Sequence, residues 1–344
     1  ADYNGSIRFA ERGKKMVDLE KLKSEFWDGK YKIDCKDEKD KSKKETKQFY
    51  FDKDGIGIAI KRALRDFTDR TERLKTEYKG QPFGVDEKYN ALCESSVPGK
   101  KSFVERFMDY FFPVPKSDNQ YMDETSFDQW HKEMCEEFLA VIEPKYQGGL
   151  KYGKAQKIVN MTFKNAYCLQ HNEIKEDQFE KYFEHCHMPL DSITLEWFKR
   201  TQTWLKDYCK EDPSNGSCDF LCKYLPESWS KMESDDSGNR YGYETIQKKI
   251  RDYLKEYAAE NITTKYLKDY TPLQAEFFVW KYMQLELAAE GVYKQLLSFE
   301  DLDSTGRKKK DKDAEYRNKT INEKLADLQG KLKDKNIETY KVQE

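Results

Sequence analysis

Residues 126–143 read SFDQWHKEMCEEFLAVIE, and this stretch decides the expected fold class. Its large apolar side chains recur every three or four residues, at Phe127, Trp130, Met134, Phe138 and Val141. That spacing places them on one face of an α-helix. Ser126 is the predicted N-cap, with Asp123 and Glu124 just ahead of it. The stretch is therefore predicted to form an amphipathic helix with one buried face.

The same three- and four-residue step recurs on both sides of this helix. It is found at 56–67, 153–170, 193–208, 243–259 and 272–299. The last of these opens with Thr271 and Pro272, which are typical of an N-cap and a first helical position. Only 47–53 reads as a short strand. The sequence therefore predicts a mainly α fold, a multi-helix orthogonal bundle with at most a short strand or hairpin near residues 47–53.

Charged connectors carrying Pro, Gly or Ser interrupt the helical pattern and suggest the domain organisation. They include FPVPKSDNQ at 112–120 and DSTGRKKKDK at 303–312. We expect a mostly helical N-terminal region at 1–115 and a main helical domain at 116–300. Residues 301–344 are expected to form a basic linker followed by a peripheral helix.

Composition limits the classes of function. The chain has 344 residues, of which 37% are charged and 14% aromatic. Aromatic side chains must therefore supply much of the buried area, at about 150–250 Å² each. Lys and Arg number 62 against 64 Asp and Glu, a net charge of -2, which excludes a globally basic nucleic-acid binder. Any site for a polyanion must be a local patch.

No run of 18 apolar residues occurs, so we expect no membrane partner. The N-terminus has no apolar signal core, and eight scattered cysteines fit free thiols in a reducing compartment, which favours a cytoplasmic protein. Five N-x-S/T triplets and the even number of cysteines leave a secreted helical protein as an alternative. The sequence does not indicate an oligomeric state.

The stretch 148–198 combines residue types that suit chemistry on a nucleic acid. It begins GGLKYGKAQKIVNMTFKNAYCL and, after an acidic insert, ends HCHMPLDSITLEWF. Glycines precede a helix whose first turns carry Lys154 and Lys157, and free amides at a helix start flanked by ammonium groups bind phosphate. Pro189 and Asp191 then lead into the next helix.

This stretch resembles the helix-hairpin-helix DNA glycosylase superfamily. Members run from hairpin glycines into a helix, and a hydrophobic residue, Pro, a second hydrophobic residue and Asp precede the next helix. Tyr152-Gly153 and the run Lys154 to Val159 match the first part, and Met188-Pro189-Leu190-Asp191 matches the second. The spacing from Lys157 to Asp191 is longer than in typical members, as it is in the archaeal 8-oxoguanine branch.

The resemblance implies a base-excision enzyme that flips a modified or damaged base out of duplex DNA and cleaves its N-glycosidic bond. Asp191 would assist departure of the base. Lys157, or else Lys154, would be the nucleophile of a member that also cleaves the strand. A carboxylate beside the flipped nucleoside stabilises an oxocarbenium-like sugar, and a lysine amine attacks C1′.

The resemblance also implies a DNA-binding set around the start of the helix. The amide of Gly153 would hold a DNA phosphate, with Lys151 and Tyr152 beside it. Independently of the resemblance, His185 and His187 could flank a loop pocket beside Asp191, and His187 is added to this set. DNA is therefore the expected partner.

Two alternatives stay open. Asp191 could merely cap the helix that begins near Ser192, and the protein would then be a non-catalytic helical nucleic-acid-binding or protein-interaction protein. A zinc site is a second use of this region, from residues that bind zinc in other proteins: His185, Cys186, His187, Cys209, Cys218 and Cys222. Their spacing matches no common zinc or iron–sulfur motif, so neither a metal nor a cofactor is expected.

Overall fold

The computed structural model describes residues 19–34, 49–67, 73–78, 83–113, 121–211, 228–235, 242–284 and 286–287. The contacts divide the chain into two compact units, Ala1–Lys281 and Tyr282–Glu344. Of the second unit only 282–284 and 286–287 are described, so the account below concerns the first. The basic linker and helix predicted at 301–344 lie outside the described residues.

The described part of the chain is an all-α bundle, which confirms the predicted fold class. Its helices are α1 (Leu19–Asp34), α2 (Lys53–Arg65), α3 (Val85–Leu92), α4 (Phe103–Phe111), α5 (Glu124–Ile142), α6 (Tyr152–Tyr167), α7 (Glu176–Lys181), α8 (Ser192–Glu211), α9 (Tyr243–Asp252) and α10 (272–284). Helix α9 continues into a π-helical turn, Tyr253–Tyr257.

Extended structure is minimal among the described residues. At the predicted position near 47–53, Tyr50 makes a single parallel bridge with Gln170. Two further strands that the sequence did not predict, β1 (Arg73–Leu74) and β2 (Tyr146–Gln147), form a two-residue antiparallel pair. These contacts join connectors to one another and leave the helices to form the core.

Polar caps begin several helices. Thr271 caps α10 through a bond from the Gln274 amide, so the predicted Thr-Pro start is confirmed. The predicted cap of α5 is wrong, because Asp123 caps this helix and its Oδ1 accepts from the Ser126 amide at 2.7 Å. Both a hydroxyl and a carboxylate can accept the cap hydrogen bond, but only the carboxylate carries a negative charge that complements the positive end of the helix dipole.

Helix α6 runs through the centre of the core. Helices α2 and α5 pack along it, and every residue of α6 except Lys157 is buried. Aromatic side chains fill this core as expected from composition. The fully buried Phe163 ring lies within 5.3–5.7 Å, centroid to centroid, of five others: Phe107, Tyr110, Phe111, Phe127 and Trp130.

One core joins the chain on both sides of residue 115. Helices α2 and α4 precede that residue, and they pack against α6 and α5, which follow it. Residue 115 therefore lies inside the unit Ala1–Lys281, and residue 300 lies inside the second unit. No helix of the described residues is long and apolar enough to cross a membrane.

Candidate functional site

The fold brings together two of the three residues for which the sequence predicts catalytic roles. Lys157 lies in α6 and Asp191 immediately precedes α8, and their Nζ and Oδ2 atoms are 3.9 Å apart. The two side chains are 18% and 19% exposed. The Lys157 ammonium also lies 4.6 Å from the ring centroid of Trp229. Lys157, Asp191 and Trp229 are called the ion-pair site below.

Asp191 also caps α8, as the alternative interpretation expected. Its Oδ1 accepts hydrogen bonds from the amides of Ile193 and Thr194, at 2.9 and 3.0 Å. Its own amide donates to the Thr194 hydroxyl at 2.8 Å. The cap occupies one carboxylate oxygen, and the other faces Lys157. Capping and a role in the ion-pair site are therefore compatible in this geometry.

Two glutamine side chains hold the loop that leads to Asp191. Gln156 Nε2 donates to the carbonyl of Leu190 at 3.0 Å, and Gln247 Nε2 donates to the carbonyl of Met188 at 2.7 Å. Gln247 Oε1 in turn accepts from the Met188 amide at 3.1 Å. Both glutamines are buried. Such bonds replace the backbone partners that an irregular buried loop lacks.

A buried hydrogen-bond network lies behind this loop. His187 Nε2 lies 2.6 Å from Asp128 Oδ1, and His187 Nδ1 lies 2.9 Å from the Tyr243 hydroxyl. Asn160 Nδ2 donates to the same hydroxyl oxygen at 2.7 Å. His131 Nε2 lies 2.9 Å from Asn160 Oδ1. We call these five side chains the histidine network.

The bonding pattern assigns the protons of the histidine network. The Asp128 carboxylate only accepts, so His187 carries its proton on Nε2 and its Nδ1 accepts from the Tyr243 hydroxyl. Asn160 Oδ1 likewise requires the proton of His131 on Nε2. Each donor then meets an acceptor, with both imidazoles neutral.

Electrostatics agree with this assignment. Burial lowers the pKa of His187, against the opposing effect of its bond to Asp128. Burial also lowers the pKa of His131, well below its ordinary value. Desolvation opposes the charge of Asp128, but hydrogen bonds from His187 and Arg251 prevail and lower its pKa to about 2. Arg251 holds Asp128 with two bonds, at 3.0 and 2.7 Å.

The predicted glycine hairpin is placed differently. Gly148 and Gly149 form the turn before α6, with φ angles of +81° and +74°. Gly153 lies inside the first turn of α6, and its amide donates to the Met232 carbonyl at 2.9 Å. A Cβ atom on Gly153 would lie 1.9 Å from the Trp229 carbonyl oxygen. Residues 228–235, which we call the cover segment, thus lie directly on the start of α6.

The other residues predicted to contact DNA, and the alternative nucleophile Lys154, are paired or buried. Tyr152 and His187 are buried. Lys151 is exposed but forms an ion pair with Glu233 of the cover segment, at 2.6 Å. Lys154 is buried, with its ammonium 5.5 Å from the Trp229 ring centroid. Lys157 is therefore the lysine of this group that lies beside Asp191.

Thiols and metal ligands add no second site in the described chain. The described cysteines are free: Cys93, Cys135, Cys168 and Cys186. No group of three or more His, Cys, Asp or Glu side chains is placed to hold a metal ion within the described ranges. The side chains of Cys209, Cys218 and Cys222, considered for zinc, lie outside them.

Sequence reasoning missed the side chains that surround Asp191. Gln156 and Asn160 are four residues apart in α6, a step at which two side chains meet on a helix, so their hydrogen bond had a local signal. Trp229 and Gln247 had no such signal, because their partners are far away in the sequence.

Comparisons of this chain with protein-family models, curated proteins and solved structures found no match.

Proposed function

We propose that this protein is a DNA base-excision enzyme in which Lys157 and Asp191 cleave an N-glycosidic bond. The observation that carries the proposal is their juxtaposition. A helix and a loop that are far apart in sequence place an ammonium and a carboxylate 3.9 Å apart, where both remain partly exposed. The resemblance described above names these same two residues.

The chemistry needs the functional groups that the ion-pair site offers. Lys157 transfers a proton to Asp191 and becomes a free amine, which attacks C1′ of the flipped nucleoside. The C1′–N bond to the base breaks, its electron pair leaves with the base, and the base takes up the proton that Asp191 received. This transfer restores the Asp191 carboxylate, which lies opposite the positive charge that develops on the sugar. The nitrogen of Lys157, now bonded to C1′, then gives a proton to the ring oxygen O4′ as the C1′–O4′ bond breaks, and a protonated imine forms.

DNA would have to be held by groups other than the start of α6. The Gly153 amide is already bonded to Met232, so it offers no free donor to a phosphate. This occupied amide favours a second candidate, a non-catalytic helical binding protein in which Asp191 and Lys157 are structural. The two candidates predict different products from the same assay.

The assay incubates the full chain with duplex oligonucleotides that each carry one modified base, such as 8-oxoguanine, uracil or 3-methyladenine. Abasic sites are detected by strand cleavage in alkali, and borohydride reduces any imine to a stable protein–DNA adduct. We expect at least one duplex to give both products. Lys157→Gln should abolish the adduct.

Asp191→Asn separates the charge of Asp191 from its role as a helix cap. An asparagine oxygen can still accept the two cap hydrogen bonds, while the negative charge is lost. It should slow excision by about 10²–10⁴-fold, the usual contribution of a positioned acid or base. Lys61→Gln is the matched control, since it removes a lysine from an exposed ion pair with Asp86. Lys61→Gln should excise like the parent chain. If no duplex yields product, or if Lys157→Gln and Asp191→Asn also excise like the parent chain, the enzyme proposal is wrong.

A further inference from the structure

The loop 187–191, which ends at Asp191, has no regular secondary structure, and its backbone polar groups bond to side chains. Leu190 bonds to Gln156, Met188 to Gln247, and the Pro189 carbonyl to the Thr194 hydroxyl at 2.9 Å. Residues 187–190 are buried. Their conformation is therefore set by side-chain bonds supplied by neighbouring helices.

Among these partners, Gln156 lies next to both residues of the ion pair. It directly precedes Lys157 in α6, and its bonding partner Leu190 directly precedes Asp191. Its Nε2 donates to the Leu190 carbonyl at 3.0 Å, and its Oε1 accepts from the Leu190 amide at 3.5 Å. One side chain thus ties the two backbone segments together next to the two residues of the ion pair.

The Gln156 amide is itself held in place. Its Nε2 also donates to the Gly153 carbonyl at 2.9 Å, and its Oε1 also accepts from Asn160 Nδ2 at 2.9 Å. The side chain is fully buried, so it does not reach a ligand on the surface. Through Asn160 it is joined to the histidine network.

We infer that Gln156 is a positioning residue that sets the separation between Lys157 and Asp191. Its catalytic part rests on the function proposed above, whereas its structural part does not. The ion pair spans 3.9 Å, which is beyond hydrogen-bond distance, so it does not fix the loop by itself. Buried hydrogen bonds with satisfied partners are stronger, so the Gln156 amide holds the loop and the ion pair follows.

The test replaces Gln156 by methionine, which keeps the length of the side chain and removes the amide. Gln202→Met is the matched control, because Gln202 is buried in α8 and neither amide atom has a hydrogen-bond partner among the described residues. Should Gln156→Met not fold, Gln156→Asn keeps a buried amide that is one methylene too short for Leu190. The first readout is hydrogen exchange of the Ile193 and Thr194 amides, which bond to Asp191 Oδ1.

We expect exchange of these two amides to become about tenfold faster in Gln156→Met, as for the loss of one buried hydrogen bond. Amides elsewhere in α8 should not change, whereas a general loss of stability would accelerate them all. The second readout is single-turnover excision. Its rate should fall about 100-fold, as for a misplaced reacting group, with an unchanged dissociation constant for DNA.

The outcomes separate the inference from the proposed function. Faster exchange at Ile193 and Thr194 without excision by the parent chain supports the positioning role and refutes base excision. Unchanged exchange at these amides overturns the positioning role, whether or not excision is seen. Where the parent chain excises the base, a Gln156→Met rate as high as that of Gln202→Met overturns the positioning role as well.

Discussion

Replacing Tyr243 by phenylalanine removes one oxygen atom from the middle of the histidine network. In the native protein that hydroxyl bonds His187 Nδ1 at 2.9 Å and Asn160 Nδ2 at 2.7 Å. The ring would stay, including its stacking on His131 at a centroid distance of 5.3 Å. The substitution therefore leaves one acceptor and one donor buried without their partner and changes little else.

Each buried polar atom left unsatisfied costs about 1–2 kcal/mol in this setting, so the two together cost about 2–4 kcal/mol. That is a large part of a typical stability of about 5–15 kcal/mol. Urea unfolding followed by near-ultraviolet circular dichroism measures the difference. Tyr89→Phe is the control, because the Tyr89 hydroxyl makes no hydrogen bond within the described residues and its ring keeps the contact with Lys61.

The control should stay within about 0.5 kcal/mol of the parent protein. A Tyr243→Phe protein as stable as the control would refute the reasoning, because the hydroxyl could not then be satisfying both partners. A cost near 1 kcal/mol would mean that a water molecule or a moved side chain replaces one of the two bonds.

Stability should depend on pH through His131 and His187. Burial lowers both pKa values below the ordinary 6.5 of the unfolded chain, so the unfolded chain binds protons at a higher pH than the folded protein does. The contribution of the two neutral histidines to stability is therefore fully present above pH 6.5. As the pH falls below 6.5, the free energy of unfolding decreases by up to about 1.4 kcal/mol per pH unit for each histidine. Urea midpoints that stay constant as the pH falls below 6.5 would contradict this. Gly153→Ala should displace the cover segment, since the new methyl group would overlap the Trp229 carbonyl oxygen, and limited proteolysis should then cut at 228–235. Gly57→Ala, which meets only the tip of the Tyr89 side chain, should not change the cleavage pattern.

Local patterns were sufficient for the elements whose signals are local. The apolar step in 126–143 predicted α5, and Thr271 with Pro272 predicted the start of α10. Both depend on side chains within a few residues of one another, which is the range over which helical periodicity and capping act. Asp123 shows the limit, because Asp123 and Ser126, three residues apart, both have side chains that can cap a helix, and only the geometry distinguishes them.

The surroundings of α6 could not be predicted in this way. Periodicity indicated one buried face, yet most polar residues on its other face are buried too, and several of them meet partners from other helices. Lys164 pairs with Glu276 of α10, and Asn160 bonds Tyr243 of α9. A sequence shows which residues are polar, but it does not show which distant partner will satisfy them.

Contacts between residues far apart in sequence also determine the geometry of the candidate site. The sequence predicted catalytic roles for Lys157 and Asp191. The fold brings the two side chains to 3.9 Å, and their roles stay a prediction. Gly153 was expected in a hairpin, but the helix begins before it and the cover segment closes over its amide. That closure depends on Met232 and Trp229, which lie in a connector without periodicity.

The central position of α6 has a consequence for how the chain folds. Its neighbour α2 comes from well before it in sequence, and the partner of its Asn160 comes from α9, well after it. Core contacts of such large sequence separation slow folding, so we expect this protein to fold more slowly than helical bundles built from adjacent helices. During synthesis α6 leaves the ribosome before Tyr243 has been translated. Its polar face must therefore stay hydrated until α9 has emerged.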